Sequence, residues 1–179
     1  MSFLGALAEP EIQAIFRYWC SKRRGRPVPR KADIDPIDIP HRLLPYVFIY
    51  ERTPGGRFRC RLSGTGIGAA YGTDVTGKHL DEIVRRGNVA ERSRLFFRVL
   101  ESGLPIYYTG GLVVAGKEHI SFARVLLPIA TSDGPADHVF GLVVFKKLKE
   151  TEDAAPWAGA TSGAPYRVVE ATPADLDAE

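Results

Sequence analysis

Apolar positions change their spacing repeatedly along this chain, and each change marks an element. From Pro10 to Arg24, Ile12, Ile15, Phe16 and Trp19, followed by Cys20, recur at i, i+3, i+4, i+7 and i+8, the wide stripe of an amphipathic helix. Pro10 suits its first turn, Lys22, Arg23 and Arg24 suit the negative end of its dipole, and Gly25 stops it. Pro27, Pro29, Pro36 and Pro40 then exclude a long regular element and predict an extended strap. After Pro45, the aromatic and β-branched run Tyr46–Tyr50 reads as a buried strand. Thr53-Pro54-Gly55-Gly56 turns it into a second strand, where Phe58, Cys60 and Leu62 alternate with Arg59, Arg61 and Ser63.

At Ser63-Gly64 the alternation stops. Ile67, Ala69, Ala70 and Tyr71 fit a helix of about two turns closed by Gly72. Thr73 or Asp74 can cap the next short element, which Gly77 interrupts before Leu80 and Ile83 return at helical spacing. Val89–Ser102 is the one long helix of the core, with Leu95, Phe96, Val99 and Leu100 on one side, Arg92, Arg94, Arg98 and Glu101 mostly on the other, and Gly103 at its end. Three strands follow, Pro105–Val114, His119–Ile129 and His138–Lys147, with turns at Ala115-Gly116-Lys117 and Thr131–Pro135. The nearly continuous apolar run Phe140–Phe145 places the last of them centrally. Two strands, a helical insert and three more strands make an α+β fold, an antiparallel sheet with helices over one face.

Composition adds a boundary. The 179 residues suffice for one domain, and no apolar run approaches the ~20 residues needed to span a bilayer. The start, MSFLGALAEPEI, lacks the basic and apolar regions of a secretory signal, so a cytoplasmic location is expected. The net charge of +3 conceals two parts: residues 1–149 carry 23 basic against 14 acidic side chains, a balance of +9, while 150–179 carry Arg167 against seven acids, −6. The second part is rich in Ala, Pro, Gly, Thr and acid, the composition of a disordered tail in which Trp157 or Tyr166-Arg167-Val168-Val169 could dock. The chain therefore divides into a helix and strap (1–37), a core (38–149) and a tail (150–179). The basic segment Lys22–Lys31 is broken by prolines and has no aromatic residue for stacking on bases, which reads as a solvated strap rather than a nucleic-acid or membrane surface.

Candidate chemistry is sparse. Gly66-x-Gly68 is followed by Tyr71 where a dinucleotide loop needs glycine, and Gly77-Lys78-His79 lacks the hydroxyl of a phosphate loop, so packing glycines are expected. Cys20 and Cys60 have no close cysteine partner and read as buried thiols. His41, His79, His119 and His138 show no metal-ligand spacing, and no metal is expected. Ser63 and Ser121 are nucleophiles only by elimination, with sheet or turn hydroxyls the ordinary alternative. Arg124 interrupts the apolar strand Ile120–Leu127: facing inward it needs an acidic partner or an anionic ligand, whereas outward, the commoner outcome, it is solvated. Alternation does not settle its face, because both residue sets of that strand could be internal.

The element order is similar to that of PAS domains, and the details resemble the single-PAS family common in alphaproteobacteria. Tyr18-Trp19, Arg24-Gly25 with Pro27, Asp33-Ile34-Asp35-Pro36 and Leu44-Pro45 carry the resemblance. It continues through Phe58-Arg59-x-Arg61-Leu62-x-Gly64-Thr65, Gly72-x-Asp74-x-Thr76-Gly77-Lys78, Pro105 and Leu127-Pro128. The resemblance implies a five-stranded antiparallel sheet in order 2-1-5-4-3, with short helices and one long helix on one face enclosing a possible small-molecule pocket. It implies a non-enzymatic sensory or regulatory domain that works through protein contacts, with a ligand-free interaction scaffold as the alternative and a small enzyme as a third reading. Tyr71, Leu80, Phe96, Leu100, Tyr107 and Arg124 are the ligand-pocket candidates, the ligand itself being unknown. In such domains the N-terminal helix packs on the outer sheet face or on the same helix of a second subunit, and Ile12, Ile15, Phe16 and Trp19, which must be buried by their own domain or a partner, are candidates for an interface with a second copy, a homodimer, or with a signalling partner. Haem-binding relatives use an axial histidine, for which His79 is the nearest candidate but is better read as a cap or surface residue. Flavin-adduct relatives need Asn-Cys-Arg where this chain has Arg59-Cys60-Arg61, so neither haem nor flavin is expected.

Overall fold

The computed structural model describes residues 2–84, 86–112, 120–147 and 167–177. Two helices open it, α1 (Phe3–Ala6), capped by the Ser2 hydroxyl, and α2 (Pro10–Arg23). α2 ends as its residues dictate: Arg24 takes a left-handed conformation and Gly25 continues it at φ 78°. The strap then makes single 3-10 turns at Lys31–Asp33, Pro36–Asp38 and Leu44–Tyr46. It is tied to the sheet where the Lys31 N–H donates to the Ala130 carbonyl (2.8 Å) and the Ala130 N–H to that of Pro29 (3.0 Å).

Strands β1 (Val47–Arg52) and β2 (Phe58–Ser63) form a hairpin closed by Gly56 at φ 73°. Helices α3 (Thr65–Tyr71), α4 (Leu80–Ile83) and α5 (Arg86–Ser102) follow, then β3 (Ile106–Leu112), β4 (Ile120–Ile129) and β5 (His138–Lys147). Residues 167–170 add β6 and Pro173–Asp177 add α6. All pairings are antiparallel and the order is β2-β1-β5-β4-β3-β6, so the expected 2-1-5-4-3 sheet is present and gains a sixth strand.

That sixth strand lies in the stretch whose composition reads as a tail. Residues 167–177 are ordered because Ala171 and Leu176 find buried positions, while the edge of β3 offers unpaired backbone groups to Arg167–Glu170. Such a short segment needs only two apolar anchors, too few to register in composition. α5 begins earlier than its apolar stripe suggests, and residues 73–79 form turns rather than helix, leaving α4 to start at Leu80. The expected turn Ala115–Lys117, Trp157 and Tyr166 lie outside the described residues.

Strand alternation splits the core in two. On the inner face Tyr108, Phe122, Leu126, Val139 and Val143 pack with Leu95, Phe96, Val99 and Leu100 of α5. On the outer face Tyr107, Val125, Leu127, Phe140 and Leu142 pack with α1, α2 and Leu176 of α6. Both sets of β4 residues are therefore internal. The stripe of Ile12, Ile15, Phe16 and Trp19 is 0% exposed against this outer face, and Trp19 Nε1 donates to the Pro128 carbonyl at 2.8 Å. Of the two coverings open to the stripe, the chain's own sheet is the one present with α2 docked, which corrects the assignment of these four residues to a partner interface.

Candidate functional site

The inner core contains a polar cluster centred on Arg124, which is 5% exposed in the middle of β4. Register sets Tyr108 of β3 directly beside it, and Arg124 Nη1 donates to the Tyr108 hydroxyl at 2.9 Å. Its Nη2 reaches the Tyr71 hydroxyl at 3.4 Å. The rings of Phe122, Phe48 and Tyr108 stand 5.0, 5.4 and 5.8 Å from the guanidinium carbon, within the range of cation–π attraction. Arg124 thus faces inward, against the commoner outcome for a strand arginine.

Two glycines make room for that aromatic enclosure. Phe122 lies opposite Gly110 and Phe48 opposite Gly141 in the paired strands. A methyl group on Gly110 would meet the Phe122 ring at 2.6 Å, and one on Gly141 would meet Phe48 at 2.5 Å and the Val125 carbonyl oxygen at 2.2 Å. Gly64 and Gly66 serve a different contact. An added Cβ there would lie 2.3 Å from Pro45 and 2.4 Å from Tyr46, so they let the start of α3 approach the strap, as packing glycines should.

Tyr71 closes the cluster from the end of α3, where Gly72 adopts φ 77° and terminates the helix. Arg92 of α5 donates to the same Tyr71 oxygen at 3.1 Å. Two guanidinium groups therefore converge on one phenol, and among the described residues no carboxylate is hydrogen-bonded to either. Arg124 Nε is buried with no partner. Burial alone would raise the Tyr71 pKa, but Arg92 and then Arg124 overcome it and bring the phenol down to about 7. Burial also works against the charge on Arg124, and the phenols of Tyr108, Tyr71 and Tyr50 more than compensate, keeping it protonated.

A pH dependence follows. Unfolded Tyr71 titrates near the ordinary ~10 and the folded residue near 7, so between these values the unfolded chain binds more protons. The contribution of Tyr71 to stability is absent below pH 7, grows through that window and is complete above ~10. Denaturation midpoints of the native chain and Tyr71→Phe should diverge as pH rises from about 7 toward ~10, with a phenolate absorbance lost in the variant. Parallel pH profiles would refute the assignment.

The sequence candidates divide between the faces. Leu80, Phe96 and Leu100 lie in the inner core with Tyr71 and Arg124. Tyr107 does not: it is on the outer face, where its hydroxyl donates to Glu9 Oε2 at 2.9 Å, and Tyr108 takes the inner position assigned to it. Adjacent strand residues face opposite ways, so this one-residue error reverses the side. Burial, then the Glu9 contact, pushes the Tyr107 phenol up to about 12. Glu9, the N-cap residue of α2 and 4% exposed, also binds Lys146 Nζ at 2.7 Å, tying the helix start to β3 and β5.

Arg92, Tyr108, Phe48, Phe122 and Glu9 escaped the sequence reading. For Arg92 the signal existed, since it precedes Leu95, Phe96 and Val99 by three, four and seven residues and so shares their helix face. His79 starts α4 in a capping box with Glu82, the structural role expected of it. Ser121 donates to the Lys146 carbonyl at 3.4 Å. Among the described residues no group of three His, Cys, Asp or Glu could hold a metal, and no helix is long and apolar enough to cross a membrane. A cleft of about 330 Å³ opens between the first turn of α2 and β5, bordered by Arg42, Tyr46, Gly66 and Phe145, and none of the six ligand candidates lines it.

A family model described as a PAS domain matches residues 7–144. No curated protein matches the chain.

Proposed function

Since the chain belongs to the PAS domain family, whose members are in general sensory and regulatory domains, we propose that it senses a small carboxylate at the Arg124–Arg92 cluster and reports through protein contacts. One observation carries this reading: a guanidinium buried to 5% exposure, with an unpartnered Nε and no bonded carboxylate among the described residues. A buried charge is costly unless a counter-charge meets it, and a carboxylate supplies two acceptors in the geometry a guanidinium favours. The Tyr71 oxygen occupies the place between the two arginines that a carboxylate oxygen would take, so ligand entry displaces the end of α3. Binding should tighten as pH falls through about 7, because a neutral phenol competes less well than a phenolate.

The route to the outer face runs along β3. Tyr108 holds Arg124, and the next residue back, Tyr107, holds Glu9 at the start of α2. Magnitudes decide what can move. Freeing the four buried stripe residues of α2 would cost on the order of 8 kcal/mol, whereas a ligand at a hundred times its dissociation constant supplies about 2.7 kcal/mol. Output therefore takes the form of a shift in the first turn of α2, sensed by a protein partner, and not release of the helix to form a dimer.

The test uses acetate, succinate and benzoate. One of them should raise the melting temperature of the native chain, more at pH 6 than at pH 8, and Arg124→Met should remove the shift while keeping the fold. If none acts at ~10 mM, concentrations well above a weak site's dissociation constant, the carboxylate reading fails. The Tyr71 phenolate would then be the counter-charge itself, and the domain a ligand-free interaction scaffold.

A further inference from the structure

The segment 167–177 docks on the rest of the chain as a peptide ligand would. Its strand β6 pairs with β3 from Ile106↔Glu170 to Thr109↔Arg167, and the Ala171 N–H donates to the Pro105 carbonyl at 2.9 Å. Ala171 and Leu176 are buried at 3% and 7% exposure beside Phe3, Leu7 and Val28. One ion pair and two hydrogen bonds to charged side chains fix the segment. Glu170 pairs with Arg98 at 2.7 Å, Arg23 Nη1 donates to the Leu176 carbonyl at 2.8 Å, and Asp175 accepts the Phe3 N–H at 2.8 Å. Residues 167–177, with one basic side chain against three acidic ones, thus sit beside Arg98 and Arg23. The segment lies beyond the family match, which ends at residue 144, and 19 residues (148–166) separate it from β5.

We propose that the open edge of β3, with the adjoining Arg98, Arg23 and α1 surface, is a docking groove for an extended acidic peptide segment, which the chain keeps covered by its own residues 167–177. Strand addition supplies affinity through main-chain hydrogen bonds, and the two small apolar anchors with the arginines supply selectivity. The occupant is a tethered one. Being part of the same chain, it is present at an effective concentration on the order of 1 mM, so an external segment must outcompete it. A partner carrying the same pattern, two β-branched residues followed by an acid and then a short acidic helix with one leucine, displaces the cover and takes its place. This groove is on the opposite edge of β3 from the carboxylate cluster's β4, and the inference stands without it.

A fluorescent peptide of residues 165–179 is the probe, titrated by anisotropy into three full-length chains: native, Leu176→Asp, and Glu170→Lys with Asp175→Lys. The second variant alters only groups at the surface of the contact, so it folds even if Leu176→Asp does not. Native chain should bind the peptide at least ~10-fold more weakly than either released variant, as an effective concentration near 1 mM predicts for a ~100 µM ligand. Binding should weaken with added salt, and amide shifts should centre on Ile106–Thr109. Equal binding to all three chains, no binding to the folded released variants, or shifts centred elsewhere would each overturn the proposal.

Discussion

Trp19→Ala should lower stability by about 3–5 kcal/mol, roughly a fifth or more of what a domain typically has. Trp19 is 0% exposed on the outer face of the sheet, stacked on Phe16 at 6.3 Å and overlaid by Arg23 at 5.9 Å. Its removal opens a large cavity and leaves the Pro128 carbonyl, its 2.8 Å acceptor, buried without a donor. Trp19→Phe retains much of the volume and loses the hydrogen bond, so it should cost about 1–3 kcal/mol. Chemical denaturation measures both. A loss below ~1 kcal/mol for the alanine variant would mean that α2 is not docked on the sheet in solution, and would restore its stripe as a surface for a partner.

Gly141→Ala should be almost as damaging, about 3 kcal/mol, although it adds a single methyl group. The new carbon would lie 2.2 Å from the Val125 carbonyl oxygen, a backbone atom in the middle of the sheet, and 2.5 Å from the Phe48 ring. Backbone there cannot yield without disturbing the β4–β5 pairing, so Phe48 must leave its place beside Arg124. Gly110→Ala is the informative comparison. Its 2.6 Å clash is with the far end of the Phe122 ring, which can swing, so the loss should be smaller while the Arg124 enclosure still opens. Equal stabilities for Gly141→Ala and the native chain in a denaturant titration would contradict the close approach.

The succession of strands along the chain and the position of the long helix were readable from spacing because each depends on local pattern: alternation in Phe58–Ser63, helical recurrence in Leu95–Leu100 and turn chemistry at Thr53–Gly56; the order of strands across the sheet came from the family resemblance. Facing was not readable where the sheet is buried on both sides. In β4 both alternating sets are apolar, so nothing in the spacing distinguishes Arg124's face from Val125's. The pair Tyr107-Tyr108 compounds this, since two identical neighbours point to opposite cores. Only the cross-strand register, Tyr108↔Arg124, resolves which one belongs with the arginine. Phe122, two residues from Arg124, shares its face whichever way the strand is turned, but Phe48 was hidden for a related reason: it becomes a neighbour of Arg124 across Gly141 of another strand, a relation that no local window contains.

The last strand to join the sheet also sets an order of events at the ribosome. Everything from α2 to β5 has been polymerised before Arg167 exists, and 19 residues separate Arg167 from Lys147. At synthesis rates of 5–20 residues per second, β3 waits roughly 1–4 s for its outer neighbour. Until Arg167–Glu170 dock, the edge of β3 is bare, the feature through which sheets join edge to edge. Slow translation across residues 148–166 would lengthen the exposure, and fast translation would shorten it. The yield of monomeric protein should therefore depend on codon choice in that stretch, although no residue of the folded contact is altered.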